Sequence, residues 1–291
     1  MSDPIERLLQ TGFSQVIAVH GAECGLDADI SLLLAIWRYE AEEHPDVQGA
    51  WIHPYYDASQ RAYMAAVQLI RSSEFPGLAL HDEIRIKPIM ARLPMFSQGT
   101  NTLSYLDGCG SRFHVQIFTI TPRAASETPL LPEAKPLHCG TCRKCIIACP
   151  TNALENGIFH RERCIRNWML VGGVVPVEIR SKMGNRLIGC DTCQRICPHN
   201  PQPCGKTQQN VPLLTLLEQP KTAAEVLRPR IGANLTIPNR LLSQACMLAG
   251  CSRDSTYIEA LMRLTLHPSD AVRTHASWAV AKLQEDQKTE E

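Results

Sequence analysis

Apolar positions along this chain follow two spacings. Val16–Val19 and Ile30–Trp37 are unbroken apolar runs of strand length between polar flanks. They predict two strands, the second buried on both faces. Residues 4–11 read as a short helix with Pro4 in its first turn, closed by Gly12. From Tyr55 to about Ser72 the spacing becomes helical, with apolar positions at Ala62, Ala65, Ala66, Leu69 and Ile70. Asp57 or Ser59 is the expected cap, and Phe75-Pro76-Gly77 ends the helix. Residues 86–95 predict a helical turn, followed by a loop over Ser97–Asn101. Thr102–Leu106 and Arg112–Thr121 are expected to pair as strands across the turn Asp107–Gly110.

Together these elements predict an α/β layer domain over residues 1–122. A proline-rich linker follows at 123–136, and then a segment of weak periodicity and many cysteines at 137–205. Residues 206–291 are strongly helical. Apolar stripes run through Asn239–Ala249, Tyr257–Leu266 and Ala271–Leu283, the last two separated by the joint His267–Asp270. A helix pair with such a joint reads as one HEAT-like unit. The charged tail from Gln284 is expected to fray. The fold class is therefore α+β, in three domains.

The middle segment carries the chemistry. Its first cysteine group is Cys139, Cys142, Cys145 and Cys149, followed by Pro150. The second is Cys190, Cys193 and Cys197, followed by Pro198, and Cys164 lies between them. The first group has the C-x₂-C-x₂-C-x₃-C-P spacing of two-cluster ferredoxins, in which the fourth cysteine serves the other cluster. Three close thiolates hold three corners of a cubane, and the longer gap with its proline turns the fourth sulfur away. By pseudo-symmetry Cys197 completes the set of Cys139, Cys142 and Cys145. Cys149, Cys190 and Cys193 then need one more thiolate, and Cys164 is the nearest unassigned. The rival metal is zinc, which paired C-x₂-C knuckles also bind, but zinc does not require the full four-cysteine run.

Composition narrows the setting. Thirteen cysteines, bunched and without a recognisable signal peptide, argue for metal ligation in a reducing compartment, the cytoplasm, rather than for a disulfide framework. No apolar stretch approaches the ~20 residues that cross a bilayer, so no membrane partner is expected. Net charge is zero, but residues 1–50 carry −7 and residues 135–206 carry +7. The basic segment compensates cubanes that bring about −2 each, or is a nucleic-acid footprint.

The cluster segment resembles the epoxyqueuosine reductases, which finish the queuosine base in tRNA. The resemblance is carried by Cys139 to Thr151, Arg163-Cys164-Ile165, Pro176 to Met183, Gly184-Asn185-Arg186 and Gly189 to Asn200. The helical stretch Asn239–Leu283 is similar to the HEAT-like tail of the same enzymes. The resemblance implies clusters on Cys139, Cys142, Cys145 and Cys197, and on Cys149, Cys164, Cys190 and Cys193. It also implies a cobalamin held by the N-terminal domain, which would be of a kind shared with other cobalamin-processing proteins. An electron donor of ferredoxin or flavodoxin type and a tRNA substrate follow from it as well. The chain departs from the family where Arg85, in Ile84–Ile89, replaces an expected acid. Of the family's glycine-rich stretch, Gly99, Asn101 and Thr102 remain.

Candidate cofactor-facing residues are Tyr55, Tyr56, Arg85, Gly99 and Asn101. The bland readings are helix-entry packing for the tyrosines, a solvated charge for Arg85 and an ordinary turn for Gly99 and Asn101. No catalytic residue is assigned. Cys109, in a turn, is a candidate reactive thiol. The first functional reading is an iron–sulfur oxidoreductase. Its rival is a cobalamin-free electron carrier or partner-binding protein. A weaker third is a nucleic-acid-binding protein with redox-sensing clusters.

Overall fold

The computed structural model describes residues 3–41, 49–81, 83–121, 137, 139–155, 157–202 and 211–290. The expected linker at 123–136 lies outside the described residues. The strands are β1 (Gln15–His20), β2 (Ser31–Arg38), β3 (Trp51–Ile52), β4 (Leu78–His81), β5 (Phe96–Gln98), β6 (Ser104–Leu106), β7 (Phe113–Ile120), β8 (Leu154–Glu155), β9 (Ile158–Phe159) and β10 (Arg186–Ile188). The helices up to the second cysteine group are α1 (Pro4–Gln10), α2 (Pro54–Arg71), α3 (Ile86–Met90), α4 (Cys139–Cys142), α5 (Lys144–Ala148), α6 (Ile165–Val171), α7 (Val177–Arg180) and α8 (Thr192–Arg195). After it come α9 (Leu213–Glu218), α10 (Pro220–Ile231), α11 (Pro238–Cys251), α12 (Ile258–Leu264) and α13 (Asp270–Glu290).

Two compact units share the chain. Unit 1 holds Met1–Ala41, Pro54–Arg143 and Cys197–Pro203, and unit 2 holds the remainder. Unit 1 is built on an antiparallel sheet in the order β1-β2-β7-β4. The unbroken apolar run of β2 explains its central position. Leu32, Leu34 and Ile36 face one layer, while Leu33 and Ala35 face the other. Each buried Leu or Ile contributes about 2 kcal/mol. On one face α1 and α2 close over the sheet through Leu8, Ala62, Ala66 and Leu69. On the other, Ile89 and Met90 of α3 and Phe96 and Leu106 of the β5–β6 ribbon cover it.

Several sequence expectations are corrected here. Thr102–Leu106 does not pair with Arg112–Thr121. Ser104–Leu106 pairs with Phe96–Gln98, which overlaps the start of the expected 97–101 loop, and β7 is flanked by β2 and β4. The turn at 107–110 closes on itself, with reciprocal Leu106–Gly110 backbone bonds. A strand buried on both faces, as β7 largely is, needs both of its hydrogen-bonding edges paired by the sheet, so the short ribbon packs over the face instead. Asp57 and Ser59 do not cap α2, because the helix already begins at Pro54. The tail does not fray at Gln284, since α13 runs on to Glu290. Strand β4 and helices α9 and α10 went unread.

Unit 2 joins a piece of the early chain to the later half. Strand β3 runs parallel to β10, with Trp51 N–H donating to Asn185 O at 2.8 Å and His53 N–H to Ile188 O at 2.8 Å. Helix α11 is its core, because residues Leu241–Gly250 are apolar or small nearly all round and all are buried. At Gly250 a side chain would lie 2.7 Å from the Trp278 ring, so glycine lets α13 approach. From α11, Gln244 Nε2 donates to Met169 O at 2.9 Å, and Met169 Sδ accepts from Gly189 N–H at 3.0 Å. The helical platform thus steadies the turn before Cys190.

His275 of α13 is fully buried. Its Nε2 accepts from Val175 N–H at 3.0 Å, so the neutral ring carries its proton on Nδ1 and donates to Ser243 Oγ at 2.8 Å. Burial pushes its pKa down to about 4. A lowered folded-state pKa means that the unfolded chain takes up the proton first, so this stability is present above pH 6.5 and is lost as pH falls toward 4. Urea unfolding followed by circular dichroism should show stability falling across that window. His275→Ala should flatten the fall and cost about 2–4 kcal/mol at pH 7, by leaving Val175 N–H unpaired and a cavity beside it.

Candidate metal centre

Short helices present the cysteines. Cys139 and Cys142 bound α4, and Arg143, at φ 47°, breaks the chain before α5, which carries Cys145. Cys149 follows α5, and its Sγ accepts from Ala153 N–H at 3.3 Å, with Thr151 Oγ1 at 3.8 Å. Cys164 is the N-cap residue of α6, and Asn167 N–H donates to its backbone O at 3.0 Å. Cys190 lies 3.5 Å from Thr192 Oγ1, and Cys193 sits within α8, which packs on α5.

Unit 2 thereby gathers five sulfurs. Burial raises the Cys193 thiol pKa well above the ordinary thiol range, and the charges of Cys190, Cys164, Cys145 and Cys149 raise it further. Thiolates this close repel each other unless a positive centre lies among them. An all-sulfur donor set suits iron–sulfur clusters. Among the described residues no three His, Cys, Asp or Glu side chains stand together as ligands of one ion. A cubane holds its ligands at separate corners.

Cys139, Cys142 and Cys197 belong to unit 1, so the division passes through both cysteine groups. In unit 1 the Cys197 Sγ accepts from Tyr105 Oη at 3.1 Å, and Asn101 Nδ2 donates to Tyr105 Oη at 2.8 Å. Asn200 Oδ1 accepts from Ser111 N–H at 2.7 Å and from Ser111 Oγ at 3.1 Å, which ties the turn after Cys197 to the one after Gly110.

The other expected residues fall in different surroundings. Tyr55 is half-buried, edge-on to Tyr39 and Tyr56, with its hydroxyl 3.3 Å from His114 Nδ1. Tyr56 is buried, and Arg85 is exposed just before α3. Asn101 is buried, and Gly99 is half-buried in the same loop. Cys109 is not a surface thiol: it is buried, and burial raises its pKa. Sequence reasoning missed Tyr105, which looked like one more apolar strand position. It also missed His53, whose buried Nε2 lies 3.2 Å from Gln194 Oε1 beside Cys193 and whose pKa burial lowers to about 4. Neither has a local signal in the chain.

The cysteine set and its surroundings define an iron–sulfur cluster protein. Residues 138–200 match the family described as the 4Fe–4S double cluster binding domain. Among characterised proteins, the chain is 33% identical to the epoxyqueuosine reductase of Bacillus subtilis over 174 residues, 53% of this chain and 42% of that one. It is 36% identical to the Aliivibrio fischeri epoxyqueuosine reductase over 116 residues, 39% of this chain and 30% of that one. These matches thus span less than half the length of those relatives. The solved epoxyqueuosine reductase of Streptococcus thermophilus superposes with a TM-score of 0.73 at 18% identity, covering 96% of this chain and 89% of that one. A crystal structure of epoxyqueuosine reductase with an epoxyqueuosine-modified tRNA stem loop gives 0.72 at 19% identity, covering 98% and 92%. The chain has the epoxyqueuosine reductase fold, and its cluster segment resembles that family in sequence.

Gly110 locates the joint between the two turns of unit 1. Its φ is +61°, and a Cβ there would overlap Asn200 Oδ1 and His199 O. Gly110→Ala should cost about 2–4 kcal/mol in chemical unfolding. The control Gly25→Ala shares the positive φ but meets nothing within 4 Å, and should cost about 1 kcal/mol.

Proposed function

We propose that this chain is an iron–sulfur reductase of the epoxyqueuosine reductase type. One 4Fe–4S cluster is assigned to Cys139, Cys142, Cys145 and Cys197, the other to Cys149, Cys164, Cys190 and Cys193. The observation that carries the reading is the field that Cys190, Cys164, Cys145 and Cys149 exert on the buried Cys193 within unit 2, four sulfurs drawn from separate stretches of chain. The resemblance of the cluster segment and the shared fold add the reaction class: reduction of the epoxide in a tRNA-borne queuosine precursor. The substrate would be a tRNA anticodon stem loop, and the electron source a ferredoxin- or flavodoxin-type donor in the cytoplasm. Among the described residues no helix is long and apolar enough to cross a membrane.

The chain's own groups hold and tune the clusters. Ala153 N–H and the hydroxyls of Thr151 and Thr192 lie against Cys149 and Cys190, and donation to sulfur stabilises the reduced, more negative cluster. Basic residues of the segment act in the same direction. Cobalamin, when bound, supplies a cobalt centre that accepts single electrons, with Tyr55, Tyr56, Arg85, Gly99 and Asn101 as the residues proposed to face it. The exposed Arg85 and the half-buried Tyr55 and Gly99 suit that role. Tyr56 and Asn101 are buried, and Asn101 is engaged with Tyr105, which makes the cradle incomplete. Arg85, standing where the family has an acid, favours a second reading: electron transfer through the clusters without cobalamin.

Anaerobically reconstituted protein should hold about eight irons, and Cys193→Ala should hold about four. Zinc in place of iron would sink the cluster reading. Reduced protein should then convert an epoxyqueuosine-modified stem loop, read by mass spectrometry as loss of one oxygen. A base-off spectrum on titration with cob(II)alamin supports the first reading, and an unchanged spectrum together with an unreacted stem loop supports the second.

A further inference from the structure

We propose that Tyr105 sets the reduction potential of the cluster ligated by Cys197, by donating a hydrogen bond to that sulfur, and that Asn101 orients the donor. The proposal rests on the cluster assignment above and goes beyond it.

The direction of the bond follows from the neighbours. Tyr105 is 3% exposed and Asn101 5%, so water does not compete at either group. The Asn101 amide is fixed end for end: Leu103 N–H donates to its Oδ1 at 3.3 Å, which leaves Nδ2 facing Tyr105 Oη at 2.8 Å. An amide nitrogen only donates, so Tyr105 Oη accepts there. Tyr105 Oη also meets the Ser111 side chain; its proton goes to Cys197 Sγ at 3.1 Å, because a metal-bound thiolate has no proton of its own and only accepts.

The loop is built around this geometry. Gly99 N–H donates to Leu103 O at 2.9 Å and Thr102 N–H to Gly99 O at 2.9 Å, with Thr102 at φ 61°. A Cβ on Gly99 would stand 2.5 Å from Asn101 Oδ1 and 2.7 Å from Tyr105 Cε2. Glycine is therefore needed for the ring and the amide to occupy their places. On the acceptor side, Asn200 N–H donates to Cys197 O at 3.1 Å, and Ser111 holds the Asn200 side chain. Donor and acceptor are each anchored within the same unit. A preorganised donor favours the reduced cluster, because one added electron increases the negative charge on its sulfurs.

The test is an anaerobic redox titration followed by electron paramagnetic resonance, on wild type, Tyr105→Phe, Asn101→Ala and the exposed control Tyr63→Phe. Wild type must first show two cubanes; if it holds zinc or a single cluster, the assignment above fails and this inference with it. With two cubanes in place, Tyr105→Phe should keep its iron and lower the midpoint of one cluster only. At that cluster's wild-type midpoint the reduced-to-oxidised ratio should fall about tenfold, or about 59 mV for a one-electron couple. Asn101→Ala should shift the same cluster in the same direction by less, and Tyr63→Phe should shift neither. Two unchanged midpoints in iron-replete Tyr105→Phe overturn the proposal. Should Tyr105→Phe lose a cluster, Asn101→Ala decides: a selective downward shift upholds the proposal and unchanged midpoints overturn it.

Discussion

Bringing several cysteine sulfurs into one another's field, partly out of water, is unfavourable unless positive charge sits among them. In this chain that constraint falls on Cys193, whose thiol is burdened first by burial and then by four other sulfurs. Short helices and tight turns hold those sulfurs there, not a large apolar core. Where such a segment binds a metal, binding free energy and folding free energy are one quantity. The rest of unit 2 limits how much of that work the metal must do. The buried helix α11 and the Gln244–Met169–Gly189 contacts keep the turn before Cys190 in place.

Unit 1 meets a different demand. Its sheet is an ordinary two-faced core, with β2 and β7 buried on both sides and helices closing one face. The other face is closed partly by the β5–β6 ribbon, and this puts the loop 99–105 beside the turn after Cys197. The same packing that covers apolar surface thus delivers a hydroxyl to a cysteine sulfur. Gly99 and Asn101 read equally well as a ligand-approach loop or a turn. In the structure Asn101 meets Tyr105 and Leu103 N–H, and Gly99 bonds to the backbone of Leu103 and Thr102.

Charge is distributed to match. The acidic first fifty residues and the basic cysteine segment cancel over the chain but not locally. Positive side chains around sulfur-rich centres lower the cost of adding electrons, as do N–H and O–H donors. The basic surface would also serve a nucleic-acid substrate, so one compositional bias supports both parts of the proposed reaction.

The helices α1, α2, α11 and α13 and the strands β1 and β2 were legible because their apolar spacing is local and long enough to fix a period. The cysteine pattern was legible for the same reason, since ligand type and spacing within a few residues already restrict the metal chemistry. Strand partners were not legible: β6 and β7 are close in sequence yet pair elsewhere, because ladder edges are filled by whichever strands the layers bring alongside. Tyr105 was not legible as a sulfur donor either, since its acceptor lies 92 residues away. By itself the sequence determined the element types and the sulfur chemistry, which depend on near neighbours. Only the tertiary structure decided which strands pair and which groups touch the sulfurs, because those depend on chain closure over long separations.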